Sequence, residues 1–375
     1  MKSIQLFLLA LLLPLTLLAQ TKAAINVQNN TALDRKEAVV ALKWETILSY
    51  YPQIDTTNFV VINTVTKKQL PFQLEHRGLK TIQNLLVQVD VKAKSTLQLS
   101  IQKGKPLAFE TKTYGRYVPE RLDDFAWEND RIAFRAYGKA LKGTKDNAYG
   151  LDVWIKRTDK MVINERYKLG EYHVDHGNGL DYYKVGFTLG AGDMAPFVNE
   201  TVCYSANYHR WKILDDGPLR FSFQLEYDTW DAGGIKVKAT KTIILDAGSQ
   251  LNRIENVYTY EGNKPLPVVV GIAKRPETGV LSLNEQQGIM GYWEPAHGED
   301  GITGVGTILT SPVSYMTVGN EQLLAKTETK NNEPIVYYAG AAWNKAGKIT
   351  NAIQWFDYLN TFAQELKNPL IVTIK

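Results

Sequence analysis

The residues best suited to chemistry gather between Tyr172 and Trp211, where three of the five histidines fall. The first cluster runs Tyr172-His173-Val174-Asp175-His176-Gly177-Asn178-Gly179-Leu180-Asp181-Tyr182-Tyr183-Lys184. Its glycines mark a loop, and a packed strand has no use for so many titratable groups. If Tyr172 to Val174 is extended, His173 and Asp175 project to one side and His176 to the other. A His beside an Asp serves as a base with its orienting group, as two metal ligands, or as a hydrogen bond that fixes a loop. No third ligand lies at a typical spacing, so no cofactor is required and a divalent metal is the lesser alternative.

The second cluster is Tyr208-His209-Arg210-Trp211. His209 is an acid or base beside a fixed cation, and Arg210 suits a carboxylate, including that of a uronic acid. The plainer alternative is a strand edge with the two side chains on opposite faces. Arg135 and Tyr137 on one strand, and Tyr258 and Tyr260 on another, are the expected partners across a cleft. Trp211 and Trp293 offer flat faces for a sugar, and Glu294 and His297 share a loop with Trp293. Asp215-Asp216-Gly217-Pro218 reads as a turn with structural carboxylates. A nucleophile elbow, a phosphate loop and a His-Glu-x-x-His motif are all missing.

These groups must be carried by strands. From Ala24 to Pro106 short β-rich runs alternate with polar turns, as in Thr96 to Ile101, which predicts a small β-sandwich over residues 24–108. From 109 to 375 the runs lengthen. Leu219 to Tyr227 alternates, and Lys236 to Leu245 with Leu251 to Tyr260 reads as a hairpin across Asp246-Ala247-Gly248-Ser249. Short helical stretches are expected at Trp44 to Tyr51 and at Ile349 to Leu366, the latter with Ile353, Phe356, Leu359 and Ala363 on its apolar face. The fold class is therefore all-β, with a small N-terminal sandwich and a large sheet-on-sheet body.

Composition narrows the function classes. The 375 residues are 44% hydrophobic and 22% charged, which fits a globular chain. A formal charge of +4 is too diffuse for nucleic-acid binding. The single Cys203 excludes a disulfide framework and a Cys-based zinc site, and its apolar neighbours predict a buried thiol. Lys2, the apolar run Leu6 to Leu18 and the small residues that follow predict an export signal over residues 1–23, with a secreted or periplasmic mature chain. No other segment is apolar enough to span a membrane.

The run His173 to Gly186, followed by Leu189-Gly190-Ala191-Gly192, is similar to the signature of a Bacteroidota family of secreted proteins of largely unassigned function. Arg131 to Tyr137, Tyr149 to Trp154 and Trp211 to Arg220 extend the resemblance over nearly the whole mature chain. The family is found with polysaccharide-degrading enzymes and includes an oligosaccharide dehydratase acting on ulvan. The resemblance implies a galactose-mutarotase-like supersandwich and β-elimination at a uronate. A base takes the C5 proton, an acid assists the group leaving C4, and a cation neutralises the carboxylate. His173, His176 and His209, with Tyr172, Tyr183 and Tyr208, are the acid and base candidates. Arg210, Arg135, Trp211, Trp293 and Lys184 are the substrate-binding ones. The rival expectations are a polysaccharide lyase, a glycoside hydrolase using a carboxylate pair such as Asp181 and Glu294, and a non-catalytic oligosaccharide-binding protein.

Overall fold

The computed structural model describes residues 22–144 and 147–375. Nearly all of the expected export signal lies outside the described residues; Lys22 already belongs to the first strand, Lys22–Gln28. The N-terminal part is a sandwich of a four-stranded and a three-stranded antiparallel sheet. Ile25, Val27, Leu42, Val61, Val87 and Ile101 fill its core with Trp44 and Ile47 of helix α1, Trp44–Tyr50. The four-stranded sheet takes an edge strand from the other end of the chain. Ile371–Ile374 pairs antiparallel with Lys22–Gln28, Ile25 facing Ile374.

The body is a layered all-β structure, as the alternating pattern predicts. An eight-stranded antiparallel sheet, running from Arg210–Asp216 at one edge to Val280–Asn284 at the other, forms one layer. Two five-stranded sheets pack against its inner face. Period-two alternation sorts the side chains. In Asp124–Asn129, Phe125 and Trp127 point into the shared core, where Phe125 stacks on Phe223 of the long sheet at 4.2 Å. Asp124, Ala126 and Glu128 therefore point to the outer face of their own sheet. Ala133–Ala136 and Asp152–Lys156 alternate likewise, with Arg135, Asp152, Trp154 and Lys156 outward.

That outer face is covered by helix α2, Ile163–Leu169, which periodicity does not announce. Its first N–H groups are satisfied from the sheet: Glu128 accepts from Val162 and Ile163 at 2.8 Å each, and Lys156 Nζ lies 2.7 Å from the same carboxylate. Gly170 at φ +77° ends the helix. Helix α3, Ala352–Lys367, covers the outer face of the long sheet. Its buried stripe is Trp355, Leu359 and Ala363, whereas Ile353 is exposed, so the helix sits rotated from the expected register. Trp355 decides this. It needs the groove left by Gly304, where an added Cβ would lie 2.9 Å from its ring. Cys203 also departs from expectation: it follows the edge strand Thr201–Val202 and is partly exposed. No helix among the described residues is long and apolar enough to cross a membrane.

Candidate active site

Three outward carboxylates meet one guanidinium on the face that α2 covers. Sheet register places Asp152 directly opposite Arg135, and Ala126 on its other flank. Arg135 Nη2 lies 2.6 Å from Asp152 Oδ2 and 3.2 Å from Asp181 Oδ2, and Nη1 lies 3.6 Å from Asp124 Oδ2. Tyr137, Trp154 and Tyr172 surround the guanidinium, with ring centroids 5.1, 5.2 and 5.8 Å from Cζ. All four charged groups are buried. Arg135, with Arg121 and Arg166 near it, does not offset the burial of three carboxylates in a low dielectric. Burial accordingly pushes Asp124 up to about 7, against the pull of Arg135. Asp152 and Asp181 move the same way, also by burial. Asp124 Oδ1 and Arg135 Nε are both buried without a hydrogen-bond partner, which adds to the desolvation cost of the cluster.

The loop between Gly170 and Asp181 borders this cluster and is built by its own polar groups. Asp175 Oδ1 accepts from Gly177 N at 2.8 Å and Gly179 N at 2.9 Å, and its other oxygen pairs with Arg157. Gly179 sits at φ +103°, and a Cβ there would lie 2.1 Å from the Ile155 carbonyl oxygen, so only glycine fits. Asp181 N donates to the Tyr172 carbonyl at 2.8 Å and closes the loop.

Two neighbours on the loop face outward chemistry. His173 Nδ1 lies 2.7 Å from the Asp181 carbonyl oxygen. A carbonyl only accepts, so Nδ1 carries a proton, and Nε2 lies on a side chain 66% exposed. Tyr172 stacks on Trp154, and its Oη accepts from Arg121 Nε at 2.8 Å, leaving the phenolic proton available. The two rings are 4.6 Å apart. Arg121 itself is partly exposed.

The other expected residues are placed elsewhere. His176 is on the outer rim, 3.8 Å from Glu171. Tyr183 donates to the Gly190 carbonyl at 3.0 Å beneath Arg275, and Tyr208 donates to the Asp123 carbonyl at 2.5 Å; both hydroxyls are spent on buried backbone oxygens. His209, Arg210 and Trp211 run along the edge of the long sheet. His209 is 3.3 Å from Asp228, Arg210 is 4.0 Å from Glu226, and Trp211 stacks on Tyr117 at 5.2 Å. No ion pair or hydrogen bond among the described residues joins them to Arg135. Lys184 is exposed, and its carbonyl accepts from Arg275. Trp293 is no sugar platform, because its strand turns it under α3 into the core with Trp355. Tyr258 and Tyr260 are tied to the Met194 and Lys264 carbonyls. Glu294 is held by Arg275 at 2.6 Å while Asp181 is held by Arg135, so these two carboxylates belong to separate clusters. Arg135 itself is consumed by acids rather than free to clamp a uronate.

Sequence reasoning missed Asp124, Asp152 and Arg121. Asp124 and Asp152 did carry a signal: a carboxylate next to a run of large apolar residues, as in Asp124-Phe125-Ala126-Trp127, must find a partner from another strand. Among the described residues no three His, Cys, Asp or Glu side chains gather as a metal-holding group.

Comparison with known proteins agrees with the resemblance at the level of family and fold. The chain is 32% identical over 314 residues to "Uncharacterized protein P7" of Formosa agariphila, covering 78% of each. Among solved structures it is similar to an α-mannosidase from Enterococcus faecalis V583, with a TM-score of 0.54, 9% identity and 95% of this chain covered. It is equally similar to a glycosyl hydrolase family 38 protein from Enterococcus faecalis, with a TM-score of 0.54, 10% identity and 96% of this chain covered. The chain spans about half the length of these solved structures, 46% and 48%, and at such low identity the likeness concerns the fold. The profile of the family described as "Domain of unknown function (DUF4861)" matches residues 27–372, and the chain belongs to that family.

Proposed function

We propose that this protein is an exported carbohydrate-active enzyme that eliminates water from the terminal uronate of ulvan-type oligosaccharides. The observation that carries this reading is the adjacent pair on the loop: His173, its Nδ1 on the Asp181 carbonyl, beside Tyr172, its hydroxyl on Arg121. Arg121 pairs with the uronate carboxylate and stabilises charge that spreads onto it as the C5–H bond breaks. His173 Nε2 takes the C5 proton. The electron pair forms the C4–C5 double bond, the C4–O bond breaks, and the departing hydroxyl receives the Tyr172 proton to leave as water. Proton transfer from His173 to Tyr172, directly or through water, restores both groups. The Arg135 cluster behind them fixes Trp154 and Tyr172. The two similar structures, an α-mannosidase and a glycosyl hydrolase family 38 protein, both act on sugars, which supports a saccharide substrate.

The test is incubation with ulvan oligosaccharides while following the ultraviolet absorbance of a C4–C5 unsaturated uronate together with chain length. New absorbance at unchanged length is the expected result. Shortening with absorbance identifies a lyase, shortening without it a hydrolase, and binding without either a carbohydrate-binding protein. His173→Ala and Tyr172→Phe are each expected to lower kcat by about 10²–10⁴-fold. Arg121→Gln is expected to raise KM as well, because it removes the carboxylate contact. Full activity in His173→Ala would overturn the assignment of the base.

A further inference from the structure

We propose that the cleft between the N-terminal sandwich and the outer face of the long sheet is a second saccharide site, one that takes an oligosaccharide bearing sulfate esters or carboxylates. The cleft holds about 880 Å³ of open space. One wall is the strand Arg35–Lys43 of the sandwich, and the opposite wall is formed by Arg253, Tyr338 and, from α3, Phe362. Alternation separates it from the candidate active site. Ile254 points into the shared core, so Arg253 points out on the opposite face of the body from Arg135.

Charge accounting gives the ligand its sign. The five carboxylates on the cleft wall meet four cations: Asp34 pairs with Lys92, Glu37 with Arg131 and Glu365 with Arg35, while Glu75 and Asp246 share Arg220. Lys36, Lys43 and Arg77 have no ion-pair partner among the described residues, and all three are exposed. Arg253 is paired with Glu255, and burial pushes its guanidinium down against the pull of Tyr338, so the cations left over on this wall are Lys36, Lys43 and Arg77. Tyr338 and Phe362 pack edge to face at 5.2 Å, both partly exposed, and offer apolar surface to a sugar ring. Guanidinium and ammonium groups beside aromatic faces suit an anionic sugar better than a neutral one. The saccharide part of this inference rests on the proposed function; the anionic part rests on the charges alone.

Titration calorimetry at low ionic strength tests it, with three probes: dextran sulfate oligosaccharides, oligogalacturonate and neutral dextran oligosaccharides. The proteins are the wild type, His173→Ala, and the double variant Lys43→Gln/Arg77→Gln, whose exposed positions leave the melting temperature unchanged. We expect at least one anionic probe to bind the wild type and His173→Ala alike. We expect the double variant to lose about tenfold or more in affinity while keeping its kcat on a short substrate. Which of the two anionic probes binds distinguishes sulfate from carboxylate recognition. Equal affinity in the double variant, no binding of either anionic probe, or equally tight binding of neutral dextran would overturn the proposal. Absence of dehydratase activity with the cleft binding intact refutes the proposed function and leaves this site standing.

Discussion

Asp124 carries a proton at a pH where an exposed aspartate has lost it, and this has a direct thermodynamic consequence. Its pKa is raised to about 7 by burial, from an ordinary value of 3.8. Between those values the folded chain binds more protons than the unfolded chain, so stability falls as pH rises through the window. Asp152 and Glu294, both raised to about 7 by burial, add to the same slope. Thermal melts from pH 4 to 8 are expected to show a declining melting temperature, and Asp124→Asn is expected to flatten part of that decline. An unchanged slope in the variant would place the proton elsewhere. Arg135→Ala removes the cation that touches all three buried aspartates and is expected to cost about 3–5 kcal/mol in denaturant unfolding. At this scale the sequence was partly readable. His173 and Tyr172 stood out because polar residues crowded a glycine loop. Arg121 did not, because its partner Tyr172 lies 51 residues away in the chain.

Among the elements, the loop between Gly170 and Asp181 matters most for chemistry, and it is held largely by Asp175. Removing that carboxylate frees two loop N–H groups and Arg157 together. Asp175→Ala is expected to lower kcat by about tenfold or more with a loss of about 1–2 kcal/mol in stability. The comparison that checks it is kcat beside the denaturation midpoint; a stability loss with normal kcat would show that the loop is placed by other contacts. Strands such as Arg220–Ala232 were legible because one face is buried and period two follows directly. Helix α2 was not. It is only seven residues long, and its start is capped by Glu128 from a strand 34 residues earlier, a contact with no local pattern. The register of α3 was missed for a related reason: glycines on the sheet choose Trp355 over Ile353.

On the scale of the whole molecule, alternation alone led to an all-β, sheet-on-sheet body, and the layers follow it. What alternation does not say is which outer face carries the chemistry. That depends on α2 and on strand order, both set by long-range contacts. The pairing of Ile371–Ile374 with Lys22–Gln28 is the longest-range of these, joining residues roughly 350 positions apart. Deleting residues 371–375 is expected to lower the melting temperature and to expose the N-terminal sheet to protease. Cleavage at the wild-type rate would show the strand to be dispensable. The same pairing sets an order of events. The first sheet to leave the ribosome stays open along one edge until almost the whole body has been made. That edge is a ready template for another copy of the chain while it waits. Newly made protein is therefore most exposed to misassembly early in its life, and slower delivery of the C-terminal segment prolongs that interval.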